Sequence, residues 1–220
     1  MAQLNTPWGR IKAHLEAWFI DHELLRFLFR NFYALSDKAY RSNHPSPSFI
    51  KKIHKKQGVK TIISLRRANT TGQYLLEKET CDQLGITLCH VPMSSRSMPK
   101  VENILKAKKA LETAQYPILI HCKSGADRAG LLCVLYEHLI EKKPIEESLK
   151  QLSMKYGHFR WAETGKLDYF FDAFLAFQKD NPNIEFIDWV THHYDRIALN
   201  DSFQSAGWAN IVVNKILRRE

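Results

Sequence analysis

Pro117-Ile-Leu-Ile-His-Cys122-Lys-Ser-Gly-Ala-Asp-Arg128-Ala-Gly130 runs from an apolar strand into a tight loop and then into a helix. In a parallel sheet ligands bind beyond the carboxyl ends of the strands. A helix N-terminus there offers free N–H groups and a positive dipole end to an anion. The stretch therefore predicts a phosphate site. Lys123, Ser124, Gly125, Ala126 and Asp127 separate Cys122 from Arg128. That length can wrap backbone amides around a phosphate while the guanidinium grips two of its oxygens. Gly125 permits the close approach. Attack on phosphorus needs a thiolate, and a helix N-terminus beside a cation is the environment that favours one.

Working outward, Val59–Leu65, Ile86–Val91 and Ile118–His121 read as strands, each apolar or β-branched as a strand buried on both faces should be. Helical patterns separate them at Tyr74–Leu84 and Val101–Ala114, and a weaker strand lies at Ala39–Arg41. A helix through Phe49, Ile50 and Ile53 ends at Gly58, with Ser46 or Ser48 as its cap. Beyond Gly130 the expectation is helical: Leu131–Glu141, Pro144–Tyr156, Lys166–Gln178, Ile184–Ala198 and Ala209–Arg218. Two short helices are expected between Trp8 and Phe32. The fold class is α/β, a mainly parallel four- or five-stranded sheet flanked by helices. One domain spans residues 37–180, with a helical extension before it (1–36) and another packed on it after (181–220).

Lys and Arg number 32 against 23 Asp and Glu, a net charge of +9 that favours anionic partners. The four cysteines have neither Cys-x-x-Cys pairing nor regular spacing, so zinc ribbons and disulfide frameworks are not indicated and a reducing cytoplasm is the expected setting. Charged residues cut the N-terminal apolar stretches, which argues against a spanning segment or signal peptide. Adjacent His192 and His193 point to different sides of a helix, so no metal is assigned. No nucleic-acid motif accompanies the basic charge.

His-Cys-x-x-Gly-x-x-Arg-x-Gly resembles the signature loop of the protein tyrosine phosphatase superfamily, especially its dual-specificity branch. Tyr40-Arg-Ser before a Pro-rich loop, and Gly58-Val-Lys-Thr-Ile-Ile-Ser-Leu-Arg66, resemble the atypical members. By element order the resemblance covers Ala39 to Phe177. It implies a phosphatase without cofactor or metal, in which Cys122 displaces the substrate alcohol or phenol and water hydrolyses the phosphocysteine. Lys123 through Arg128 would bind the phosphate and His121 would support the loop.

Two departures stand out. Relatives carry an aspartate acid on the loop matching Val91–Pro99, which here has no carboxylate. Gly-x-Asp-Arg resembles lipid phosphatases whose loop aspartate is the acid candidate, so Asp127 is expected either in that role or as a structural acceptor. Ala129 stands where relatives have a hydroxyl that helps the thiolate leave, which implies slow turnover. Both departures also fit a catalytically weak phosphate-binding module of the same fold, the alternative reading. Arg41, Arg66, Arg67 and Arg96 could rim an anionic pocket, and Cys81 or Cys89 could pair with Cys122. The expected partner is a phosphorylated protein or lipid, with peripheral contact to an anionic membrane through the aromatic-basic N-terminal helices. The sequence carries no signal for oligomeric state.

Overall fold

The strands are short, and the computed structural model, which describes residues 6–15 and 30–205, assembles them as one five-stranded sheet. The strands are β1 (Tyr33–Ala34), β2 (Ala39–Ser42), β3 (Thr61–Ser64), β4 (Thr87–His90) and β5 (Ile118–His121), in the order β1-β2-β5-β3-β4. Only the β1–β2 pair is antiparallel. The weak strand at Ala39–Arg41 is thus an interior one, paired directly to β5, and β1 had not been expected.

Alternation along the strands sends side chains to two covered faces. On one, Ile63, Ile118 and Ile120 meet α4 (Val101–Thr113), α5 (Asp127–Leu139), α7 (Lys166–Asp180) and α8 (Phe186–His192). On the other, Ile62 and Leu119 meet α2 (Pro47–Gln57) and Cys81 of α3 (Gly72–Leu84). Helix α5 crosses the larger core and is buried from Ala129 to Glu137, as its near-continuous apolar sequence requires. Ser46 caps α2: its hydroxyl oxygen accepts from the Phe49 N–H at 3.3 Å.

Three helices differ from expectation. Helix α5 begins at Asp127 rather than Leu131, because the Gly130 N–H already donates to the Ala126 carbonyl at 2.8 Å. Asp127 and Arg128 therefore sit in its first turn. The helix expected over Pro144–Tyr156 is only α6 (Ile145–Ser148), followed by single turns at Leu149–Gln151 and Met154–Tyr156. The chain leaves helical geometry at Leu152 (φ −102°, ψ 78°). The helix expected over Ile184–Ala198 is two, α8 and α9 (Arg196–Ser205). Between them the Asp195 carboxylate takes the N–H groups of Ile197 and Ala198 at 2.9 and 3.0 Å and starts a new helix.

Near the N-terminus α1 (Pro7–Leu15) packs on α3 through small residues, with Gly9 and Ala13 buried and Trp8, Ile11 and Leu15 facing outward. Arg10 forms a two-pronged ion pair with Glu79 at 2.6 and 3.1 Å. The second N-terminal helix and the one at Ala209–Arg218 lie outside the described residues, the former through Phe29. Among the described residues no helix is long and apolar enough to cross a membrane.

Candidate active site

Strand β5 is central, and its carboxyl end delivers Cys122 to a loop that closes at the start of α5. Cys122 is buried and shares the larger core face with Ile118 and Ile120, while His121, one residue earlier, points to the opposite face. The Gly125 N–H donates to Cys122 Sγ at 3.2 Å, which identifies the sulfur as an acceptor inside the turn. Arg128, at the far end of the loop, is partly exposed and touches the protein through a long 3.4 Å bond to the Leu65 carbonyl at the end of β3. Lys123 and Ser124 are exposed, and Gly125 and Ala126 are buried.

Gly125 is demanded twice. Its φ of +78° is a left-handed conformation, and a Cβ there would lie 2.7 Å from Ser42 and Asn43 backbone atoms. The loop is therefore pressed against the end of β2. The His44 N–H reaches back to the Lys123 carbonyl at 3.2 Å, and Asn31 Nδ2 bridges the Ser124 and Tyr156 carbonyls at 3.1 and 2.8 Å.

Arg41, expected among residues that could rim an anionic pocket, is instead fully buried beneath the loop. Its Nη2 donates to the carbonyls of Gly125 (2.7 Å) and Ala126 (3.2 Å), and its Nη1 to the carbonyl (2.9 Å) and Oε1 (2.7 Å) of Gln151. The guanidinium lies 3.7 Å from the centre of the Tyr156 ring. All four acceptors are neutral oxygens. By drawing loop carbonyls to the underside, Arg41 leaves the loop amides to face the other way, and it places a positive charge behind them. Arg67 and Arg96 are exposed, Arg96 beside Glu163 at 3.6 Å.

Asp127 does not stand alone. His158, buried just after the Met154–Tyr156 turn, donates from Nδ1 to Asp127 Oδ1 at 2.8 Å and from Nε2 to Asp168 Oδ2 at 2.7 Å. Two carboxylate acceptors require both ring nitrogens to carry protons, so the ring is an imidazolium. Burial works against that charge, but the hydrogen bonds and charges of Asp127 and Asp168 outweigh it and raise the His158 pKa to about 9. Because the folded value lies above the ordinary 6.5, the stabilisation is complete below that pH and fades as pH rises through about 9. His158→Asn should accordingly cost about 3 kcal/mol at pH 6 and progressively less toward pH 9, measured by urea unfolding across that range. A pH-independent loss would mean that the charged network does not set it.

Nothing in the sequence marks His158, Asn31, Gln151 or Glu77. Their partners lie in other elements, and no local spacing marks them. All four cysteines are free thiols; burial pushes Cys81 and Cys133 up to about 12. Ala129 is wholly buried. Among the described residues one group has the donor types of a metal site, His44, Glu77 and His121.

A family model described as a DSP-PTPase phosphatase fused to NAD+ kinase matches residues 51–166, more than half of the chain. The chain belongs to this family. The match takes in β3, β4, β5 and the loop from Cys122 to Arg128. The dual specificity protein phosphatase TpbA of Pseudomonas aeruginosa is 24% identical over 131 residues, 59% of this chain and 55% of the relative. The chain thus spans about half the length of the curated relatives it matches. The crystal structure of P. aeruginosa TpbA superposes with a TM-score of 0.56 at 18% identity, covering 77% of this chain and 91% of that one. The core catalytic domain of the PP-IP phosphatase Siw14 from S. cerevisiae gives 0.51 at 22% identity, covering 69% and 93%. These likenesses establish the DSP-PTPase fold.

Proposed function

We propose that the chain is a cysteine-dependent phosphatase that hydrolyses phosphomonoesters through a phosphocysteine intermediate. The observation that carries the reading is the loop itself. Cys122 Sγ lies at the mouth of a helix N-terminus, loop carbonyls are tied back by buried Arg41, and Arg128 is left partly exposed at the rim. A phosphoryl group seated on the amides of residues 123–128 would present phosphorus to the sulfur. Arg128 would grip two of its equatorial oxygens. The thiolate displaces the leaving oxygen, and water then attacks the phosphocysteine and returns the thiolate.

Asp127 is the proposed acid, working with His158. The loop Val91–Pro99 offers no carboxylate, whereas Asp127 is about a fifth exposed and holds a protonated imidazole on Oδ1. As charge builds on the leaving oxygen, Asp127 takes the proton from His158 Nδ1 and relays it to that oxygen, leaving the imidazole neutral until the water that attacks the phosphocysteine gives up its proton along the same path. Asp127→Asn should slow an alkyl phosphate about 10²- to 10³-fold, but a nitrophenyl phosphate less than about tenfold, because only the basic leaving oxygen needs the proton. Equal losses across a leaving-group series would assign Asp127 a structural role instead.

Substrate class is part of the proposal. TpbA has a structure in complex with pTyr, and Siw14 is described as a PP-IP phosphatase. Both descriptions fit a phosphate loop with a basic surround, and the net charge of +9 favours polyanionic or membrane-bound phosphates. The outward Trp8, Ile11 and Leu15 on α1 support a peripheral contact with anionic membrane from the cytoplasmic side. Turnover of a phosphotyrosine peptide, inositol phosphates and phosphoinositides in anionic vesicles, compared at low and high salt, ranks these classes. No turnover of any of them, nor of nitrophenyl phosphate, would favour the phosphate-binding module.

A further inference from the structure

A separate cavity of about 300 Å³ opens between the end of β3, the segment joining β4 to α4 and the first turns of α4. Its floor is apolar, formed by Met98 and Leu131, each 1% exposed. Its rim is cationic. Arg67, Lys100 and Lys106 line it with exposed side chains, and Ser97 and Asn103 add neutral donors. Among the described residues no carboxylate lines the cavity, and none of the three cations forms an ion pair. Arg96, on the same segment, is by contrast taken up by Glu163 at 3.6 Å. Three uncompensated charges of one sign around one concave surface repel one another, and an anion among them removes the repulsion.

The segment that walls the cavity is held by the C-terminal helices. Lys166 Nζ donates to the Arg96 carbonyl at 3.4 Å, Arg196 Nε to the Met98 carbonyl at 3.0 Å and the Tyr194 hydroxyl to the Pro99 carbonyl at 2.8 Å. Three backbone oxygens that would oppose an anion are thereby occupied, two of them by further cations. The cavity also adjoins the phosphate clamp. The Leu65 carbonyl at the end of β3 accepts from Arg128 Nη1 at 3.4 Å and from the N–H of Met93, a cavity residue, at 3.3 Å. One carbonyl thus ties the cavity wall to the guanidinium that would grip the reacting phosphate.

We propose that this cavity binds a second phosphate group of the substrate, so that the enzyme acts on molecules carrying more than one phosphate in preference to isolated monoesters. For the group that reacts, this rests on the phosphatase reading. A planar guanidinium and two ammonium groups suit a phosphate dianion, and the apolar floor of Met98 and Leu131 suits the carbon skeleton that links it to the reacting group. Each exposed cation contributes modestly and is screened by salt. The selectivity comes from linkage: once the first phosphate sits on the loop, the second is presented to the cavity at high effective concentration.

The test uses the full chain carrying Cys122→Ser, so that ligands are bound and not consumed, with isothermal titration of alkyl monophosphates and a series of alkanediol bisphosphates. The best bisphosphate should bind roughly 10- to 100-fold more tightly than its monophosphate, and affinity should peak at one chain length, as a fixed spacing between two sites requires. Adding Arg67→Ala and Lys100→Ala should remove most of that gain. Adding Lys52→Ala and Lys56→Ala instead, exposed on α2 at the opposite face of the sheet, removes the same charge elsewhere and should keep it. Equal affinity for the two ligand classes, a gain without a length optimum, or an equal loss from the α2 pair overturns the proposal. So does saturation of the cavity by inorganic phosphate, read from the amide shifts of residues 97–103, with no gain for any bisphosphate; that result assigns the site to a free anion. Binding needs no turnover. A wild type that hydrolyses no phosphomonoester would end the phosphatase reading, whereas turnover and monophosphate binding without the bisphosphate gain would end only this one.

Discussion

Cys122→Ser lowers phosphomonoester turnover by at least roughly 10⁴-fold while leaving orthovanadate or phosphate affinity within a few-fold of wild type. The two halves of this expectation come from different atoms. Bond formation to phosphorus needs the sulfur, whereas anion binding is carried by the amides of residues 123–128 and by Arg128. Those groups are set by Gly125, Arg41 and the start of α5, none of which depends on the thiol. Because the thiolate rather than a metal-bound water attacks in this reading, chelators should leave wild-type turnover unchanged. Steady-state kinetics and isothermal titration check the pair. Substantial turnover in the serine variant, or activity lost to chelator and restored by metal, would refute the covalent mechanism.

Arg41→Met should be the most damaging change outside the loop. It leaves the Gly125, Ala126 and Gln151 carbonyls buried without their donor, at about 1–3 kcal/mol each, so a loss of at least about 3 kcal/mol is expected together with at least a tenfold fall in turnover. Arg41→Lys should recover only part of either. A single ammonium cannot reach both the loop carbonyls and the Gln151 carbonyl, and it forfeits the guanidinium's 3.7 Å approach to the Tyr156 ring. Urea unfolding and kinetics on the two variants test this. Wild-type stability in Arg41→Met would mean that the guanidinium does not hold the loop.

Strands β3, β4 and β5 were legible in the sequence because they lie in short β-branched and aliphatic runs set between helical patterns, whereas β1 and the polar β2 (Ala-Tyr-Arg-Ser) carry little such signal. The proposed nucleophile and phosphate clamp could be named from the sequence because Cys122 and Arg128 lie in one contiguous loop. What supports them was not legible. Asn31 meets Ser124 across 93 residues, Arg41 meets Gln151 across 110, and Asp127 meets His158 across 31. No periodicity encodes such pairings. Arg41 read as a cation that could rim an anionic pocket because arginines at strand ends are usually exposed. The structure shows the other outcome, a buried guanidinium fed entirely by neutral oxygens. The Pro144–Tyr156 segment was expected as one helix because its sequence contains nothing that breaks one. It is interrupted where Gln151 turns to meet Arg41, a tertiary demand that local propensity cannot express.

In the proposed reaction phosphate passes through Cys122. Rapid mixing with a nitrophenyl phosphate, acid quenching within the first turnover and peptide mass spectrometry read it directly. One phosphoryl group is expected on the peptide containing Cys122, bound through sulfur, absent from Cys122→Ser and formed before steady-state release of inorganic phosphate. Turnover at full rate with no phosphorylated Cys122 at any quench time, or with the phosphoryl group on another residue, would contradict it.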